Sequence, residues 1–187
     1  MSDLLKQTLQ LIDDANASDP NDGVEALYAK RMLETLQSFD DNPSEPLTLA
    51  CYAQHVCRWK LVRKDFPAGL EGYLKWRTDL AKLHAQILTD AMREAGYNDD
   101  DIKRASNIIQ KRKLKKDPEA QTLEDVSCLV FLNHYFDAFA GKHSEERIID
   151  IVQKTWDKMS EQGHEAALKL SLPSHLQALV SKALNSN

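Results

Sequence analysis

Apolar residues recur at three- and four-residue intervals along this chain from end to end. No stretch alternates apolar with polar in the way a half-buried strand requires, so the pattern predicts an all-α protein. The spacing places a first helix at Asp3 to Ala15 and a second at Val24 to Phe39. A third is expected from Glu45 to Trp59, with Ser44 as N-cap and Pro46 in its first turn. A long fourth helix, Leu70 to Ala95, should stop at Gly96, and a fifth should run from Asp100 to Arg112. The sixth opens at Asp117-Pro118 or at Thr122 and continues to Ala140. Its segment Val126 to Leu132 is apolar on nearly every side, which predicts a central buried helix over about 123–140. Ser144 caps a seventh helix, and two short helices around Ala166 and Leu176 follow. With 187 residues and no long linker or repeat, the expectation is a single compact all-helical domain over 1–187.

Bulk chemistry removes several function classes. The chain carries 24 basic against 29 acidic side chains, a net charge of −5, which argues against a dedicated duplex-DNA binder. Cys51, Cys57 and Cys128 sit among apolar residues with no Cys-x-x-Cys spacing, the pattern of buried reduced thiols in a cytoplasmic protein. The N-terminus lacks a signal pattern, and the most apolar window is too short to span a bilayer, so no membrane partner is expected. There is no phosphate loop, nucleophile elbow or zinc knuckle.

The remaining signal is a set of polar residues on helices that otherwise read as core. Gln54-His55 ends an apolar run, His84 lies within Leu80, Leu83, Ile87 and Leu88, and Glu124-Asp125 enters the buried sixth helix. Burying such groups unpaired costs about 1–3 kcal/mol each, so each calls for a partner. Two readings are open. Convergence of His55, His84 and Asp125 would make a site for one divalent metal (Mn, Fe or Zn), with no organic cofactor. Alternatively, Thr122 to Asp125 has the spacing of a capping box, and each His is a hydrogen-bonded core residue. Arg77 falls two turns before His84 on one stripe, and Arg58, Lys111 and Lys113 belong to two basic clusters. Together with Gln54 these would bind the phosphate of a small phosphorylated ligand or nucleotide. Trp59 and Phe66 among the cations also admit RNA as a partner.

The order of these motifs resembles the HD-type metal-dependent phosphohydrolases. Leu47 to Trp59 (LTLACYAQHVCRW) resembles the run that ends in that family's His-Asp pair, ALYAKRML its early His motif, and LEDVSCLVFL its late-Asp helix. The stretch HAQILTDAMREAGYNDDDIKRASNIIQKRK resembles the helix-turn-helix between them. Here Tyr28 stands where the early His belongs, Gln54-His55 replaces His-Asp, and the late Asp falls at Asp125 or nearer Ser127. The resemblance implies an HD-like helical core. It also implies a hydrolase of nucleotides or small phosphate esters in which His55, His84 and Asp125 hold the metal and Glu124 and Asp125 act in catalysis. The alternative is a non-catalytic HD-like module that binds nucleotide, RNA or a protein partner. The segments AQHVCRW, GYLKWR, LKKDPEAQTLEDV and TWDKMS are similar to an uncharacterised bacterial and fungal family whose members sometimes carry a glutamyl-tRNA synthetase label. An all-helical chain without ATP-binding motifs does not fit that label.

Overall fold

The computed structural model describes residues 1–185 and is all helical, with no strand among them. Ten α-helices succeed one another: α1 (Asp3–Asn16), α2 (Val24–Phe39), α3 (Glu45–Tyr52), α4 (Gly69–Ala95), α5 (Asp99–Ile109), α6 (Pro118–Val130), α7 (Phe136–Ala140), α8 (Glu145–Trp156), α9 (Glu161–Leu168) and α10 (Ser174–Asn185). They group into two compact units, Met1–Leu123 and the residues from Glu124 onward.

In the first unit, helix starts follow local chemistry. Ser2, Ser44 and Asn98 each accept a backbone N–H from the first turn of the helix they cap. Asp19 reaches across its turn to accept the Glu25 N–H of α2 at 3.2 Å. Gly96 ends α4 with φ +97°, the left-handed conformation that glycine adopts without steric cost. α1 packs against α2, α3 and α4, while α5 packs against α3 and α4. The fully buried residues Ile12, Met32, Leu36, Leu47, Leu49, Leu88, Met92 and Ile108 form the core they share.

Three elements depart from the apolar pattern. The α2 stripe is rotated: Glu25 and Tyr28 are buried with Ala29, Met32 and Leu36, while Leu27 is 47% exposed. α3 ends at Tyr52 rather than Trp59, and the chain continues through a turn into a short 3₁₀ segment at Arg58–Lys60. Cys57 ends that turn with φ +52°, its N–H donating to Asn16 Oδ1 at 2.9 Å and its Sγ to the Ala15 carbonyl at 3.2 Å. α5 stops at Ile109, three residues early, because Lys111 takes φ +52° and cannot continue a helix.

α6 opens at Pro118, the first of its two anticipated starts. Asp117 accepts the N–H groups of Glu119 and Ala120 as the cap, and the Arg104 guanidinium clamps Asp117 from α5. Thr122 therefore lies inside the helix, its hydroxyl donating to the Pro118 carbonyl at 3.0 Å, and Thr122 to Asp125 form no capping box.

In the second unit, a π-helical segment at Phe131–Tyr135 links α6 to α7, and α10 packs against α7 and α8. Val126, Val130, Leu132 and Phe136 are buried, but Asn133 and His134 are exposed, so the expected 123–140 helix is buried on nearly every side only in its first half. All three cysteines are buried and unbridged. No described helix is long and apolar enough to cross a membrane.

Candidate anion-binding cavity

A cavity of about 350 Å³ opens in the first unit between the turn after α3, the middle of α4 and the loop after α5. Its volume falls in the range of small-molecule sites. Three pieces of chain supply its polar groups. The turn brings Gln54, His55 and Arg58; α4 brings Arg77, Lys82 and His84; the loop brings Gln110, Lys111 and Arg112.

Each group is held for a local reason. Arg77 and His84 are seven residues apart, two helical turns, so both face the cavity from one stripe of α4. The left-handed Cys57 turns the backbone so that the next residue, Arg58, lies against α4, where its guanidinium sits 5.1 Å from the Trp76 ring centroid. The loop from Lys111 to Lys116 contains three non-glycine residues with positive φ, at Lys111, Lys113 and Lys115. Such residues cost roughly 1–2 kcal/mol each and persist where surrounding structure over-determines them. Arg104 supplies that determination by pinning the far end of the loop through Asp117, whose carboxyl it holds down to about 2.

Charge in the cavity has one sign. Arg58, Arg77, Lys82, Lys111 and Arg112 line it, and no Asp or Glu does. Lys82 lies 3.8 Å from Asp79 on its own helix, and Glu25 acts on Arg58 at a distance, while among the described residues Arg58, Arg77 and Arg112 form no ion pair with a carboxylate. Packing cations together is unfavourable, and an incoming anion would relieve it.

The two imidazoles behave differently from the cations. His55 stacks on Tyr28 with ring centroids 3.7 Å apart and planes 11° from parallel. Its Nδ1 lies 3.4 Å from Glu25 Oε2. Burial, then Arg58, Arg77 and Lys111, hold the His55 ring well below its usual pKa. His84 is 5% exposed, and burial, followed by His55, Arg58 and Arg77, lowers it to about 3. Glu25 moves the other way, to about 7, because burial outweighs the nearby Arg58. His55 and Glu25 are therefore not an ion pair near neutral pH. The environment favours an uncharged ring beside a carboxyl poised to take up a proton. The His55 and His84 ring centroids are 6.2 Å apart.

The fold thus brings Gln54, His55, Arg58, Arg77, His84 and Lys111 to one cavity. Lys113 lies exposed in the adjoining loop and is not part of the lining. Glu124 is buried in the second unit. Asp125 lies there too, accepting the Ser160 N–H at 2.8 Å and the Ser160 hydroxyl at 2.6 Å. Ser160 in turn caps α9 by accepting the Gly163 N–H at 3.1 Å. Asp125 therefore orients a helix cap. Glu25, which the apolar pattern did not single out, contacts His55 instead. The signal available in the sequence was its place in the first turn of α2, three residues before Tyr28.

Catalytic zinc sites take three protein ligands, typically His, Cys or carboxylate. Among the described residues no three His, Cys, Asp or Glu side chains group in a way that could hold a metal. His55 and His84 are two neutral imidazole donors, and Glu25 faces the Nδ1 of one of them.

Fold and cavity together define an all-helical protein with a cation-lined pocket built by its first unit. A family model described as a domain of unknown function (DUF4202) matches residues 6–180, and the chain belongs to that family. Neither the curated proteins nor the solved structures give a match.

Proposed function

We propose that the cavity binds the phosphate group of a small phosphorylated molecule. The observation that carries this reading is the lining itself: five cations, Arg58, Arg77, Lys82, Lys111 and Arg112, with no carboxylate among them. Arg58 and Arg77 offer planar forks suited to phosphate oxygens, and Lys111 and Arg112 close on it from the loop. The left-handed residues beside the cavity support the same reading, since backbone strain of this kind collects at ligand sites. Titration calorimetry with adenosine monophosphate tests it. Saturable one-to-one binding that weakens as salt rises and is lost in Arg58→Gln/Arg77→Gln supports the proposal; absence of binding at millimolar ligand rejects it.

A metal-dependent phosphohydrolase of HD-like type is the second reading, favoured by the neutral pair His55 and His84 and by the unpartnered His84 Nε2. His55 and His84 would hold one divalent ion, which when bound would acidify water for attack on a phosphate ester. Glu25 would orient His55 through Nδ1. Elemental analysis separates the readings. Near-stoichiometric Mn, Fe or Zn that is lost in His84→Ala supports hydrolysis. Phosphate binding without metal leaves a non-catalytic binding module.

A further inference from the structure

Two buried polar atoms in the wall of this cavity have no hydrogen-bond partner: Gln54 Oε1 and His84 Nε2. Both side chains belong to the lining, and His84 is 95% buried where Arg77, Lys82 and Arg112 are exposed. Three of the five cations thus stand toward solvent and Arg58 and Lys111 are half-buried, whereas the Gln54 Oε1 and His84 Nε2 atoms are shut off from it. An unsatisfied buried acceptor costs about 1–3 kcal/mol, which a ligand donor would recover. Gln54 Oε1 can only accept, so its partner must carry an O–H or N–H. A neutral imidazole nitrogen either donates or accepts according to its tautomer, and a hydroxyl complements both. A phosphate-ester dianion carries no O–H for Gln54 Oε1, and its oxygens fit the guanidinium groups.

Resting on the phosphate-binding reading above, we infer that Gln54 and His84 recognise the organic part of the ligand. The cavity takes a hydroxyl-bearing phosphate ester, phosphate outward and hydroxyl inward, in preference to inorganic phosphate or an alkyl phosphate. A sugar phosphate and a nucleotide share this chemistry.

Calorimetric titration of the full chain with four probes tests the inference: inorganic phosphate, ethyl phosphate, ribose 5-phosphate and adenosine monophosphate. Ribose 5-phosphate should bind at least about tenfold tighter than ethyl phosphate, the equivalent of one recovered hydrogen bond. Gln54→Leu should bring the ratio of the two affinities close to one. Adenosine monophosphate above ribose 5-phosphate assigns the hydroxyls to a nucleotide, and the reverse order to a sugar phosphate; both orders support the inference. Equal affinity of wild type for ethyl phosphate and ribose 5-phosphate overturns it, whatever the variant does. Failure of all four probes to bind overturns instead the reading on which it rests.

Discussion

Glu25 Oε2 lies 3.4 Å from His55 Nδ1, and burial holds both groups toward their uncharged forms. A carboxylate at this position fixes the ring's orientation without donating a lasting charge to the cavity. The stacked Tyr28 ring closes the other side, so His55 presents a defined edge to the cations around it. Helix α2, which contributes nothing to the cavity lining, thereby positions one of its side chains.

Glu25 should make the protein less stable as pH rises. Its folded pKa, about 7, exceeds the usual 4.5, so the folded state holds the extra proton between those values. Its stabilising contribution is complete below pH 4.5 and is lost as pH climbs through 7. Glu25→Gln, which cannot ionise, should match wild type near pH 5 and exceed it at pH 8 by up to about 3 kcal/mol. Urea unfolding at the two pH values checks this, and an equal difference at both contradicts it.

His84 acts with the opposite sign. Its folded pKa, about 3, lies below the usual 6.5, so the unfolded state binds more protons in that interval. Stability from His84 is complete above pH 6.5 and is lost as pH falls toward 3. His55, also held well below its usual value, acts with the same sign as His84. Between pH 4.5 and 6.5 Glu25 offsets only one of these two imidazoles, so wild type should lose stability below pH 6.5 less steeply than Glu25→Gln. Melting temperatures taken across pH 3 to 8 for both proteins measure the difference in slope, and equal slopes contradict it.

Asp125 should matter for folding rather than for ligand binding. Asp125→Ala removes both acceptors of Ser160 and with them the support of the α9 cap, at about 1–2 kcal/mol. Ser160→Ala should cost a similar amount, and the double variant less than the sum, because the two residues share one set of bonds. A side chain at Gly163 would place its Cβ 2.7 Å from Asp125 Oδ1, so Gly163→Ala should destabilise by about 1–3 kcal/mol. Denaturation of the four variants measures these costs, and phosphate affinity should be unchanged in all of them.

The all-helical class and most helix starts were legible in the sequence because they rest on local terms. Ser44, Asn98 and Ser144 cap where their neighbours predict, and Gly96 stops α4. The ends of α3 and α5 were not legible. Cys57 and Lys111 adopt left-handed backbone against their own preference, and the contacts that hold Cys57 there come from Ala15 and Asn16, more than forty residues away. The site divided along the same line. Arg77 and His84 share a stripe at helical spacing and do face one cavity. Asp125 looked like a first-turn carboxylate only while Thr122 was a plausible helix start; Asp117, pinned by Arg104, moved that start back by several residues. Glu25 was not legible because its carboxyl faces His55, a residue thirty positions on, which periodicity on α2 cannot reveal.

Lys111 should show a trade between stability and binding. Its φ of +52° is relaxed by glycine, so Lys111→Gly should be as stable as wild type or up to about 1 kcal/mol more stable. The same change removes one cation from the cavity and should weaken phosphate binding by roughly five- to tenfold. Paired melting and titration of this variant reads both terms. A drop in stability with unchanged affinity would assign Lys111 a purely structural role.

The cation-lined cavity carries the proposed function, and pyrophosphate binding measured at two salt concentrations tests it most directly. Wild type should bind with an affinity that falls as salt rises, and a folded Arg58→Gln/Arg77→Gln variant should lose at least about tenfold. Equal binding by wild type and the double variant, or none by wild type at low salt, would contradict it.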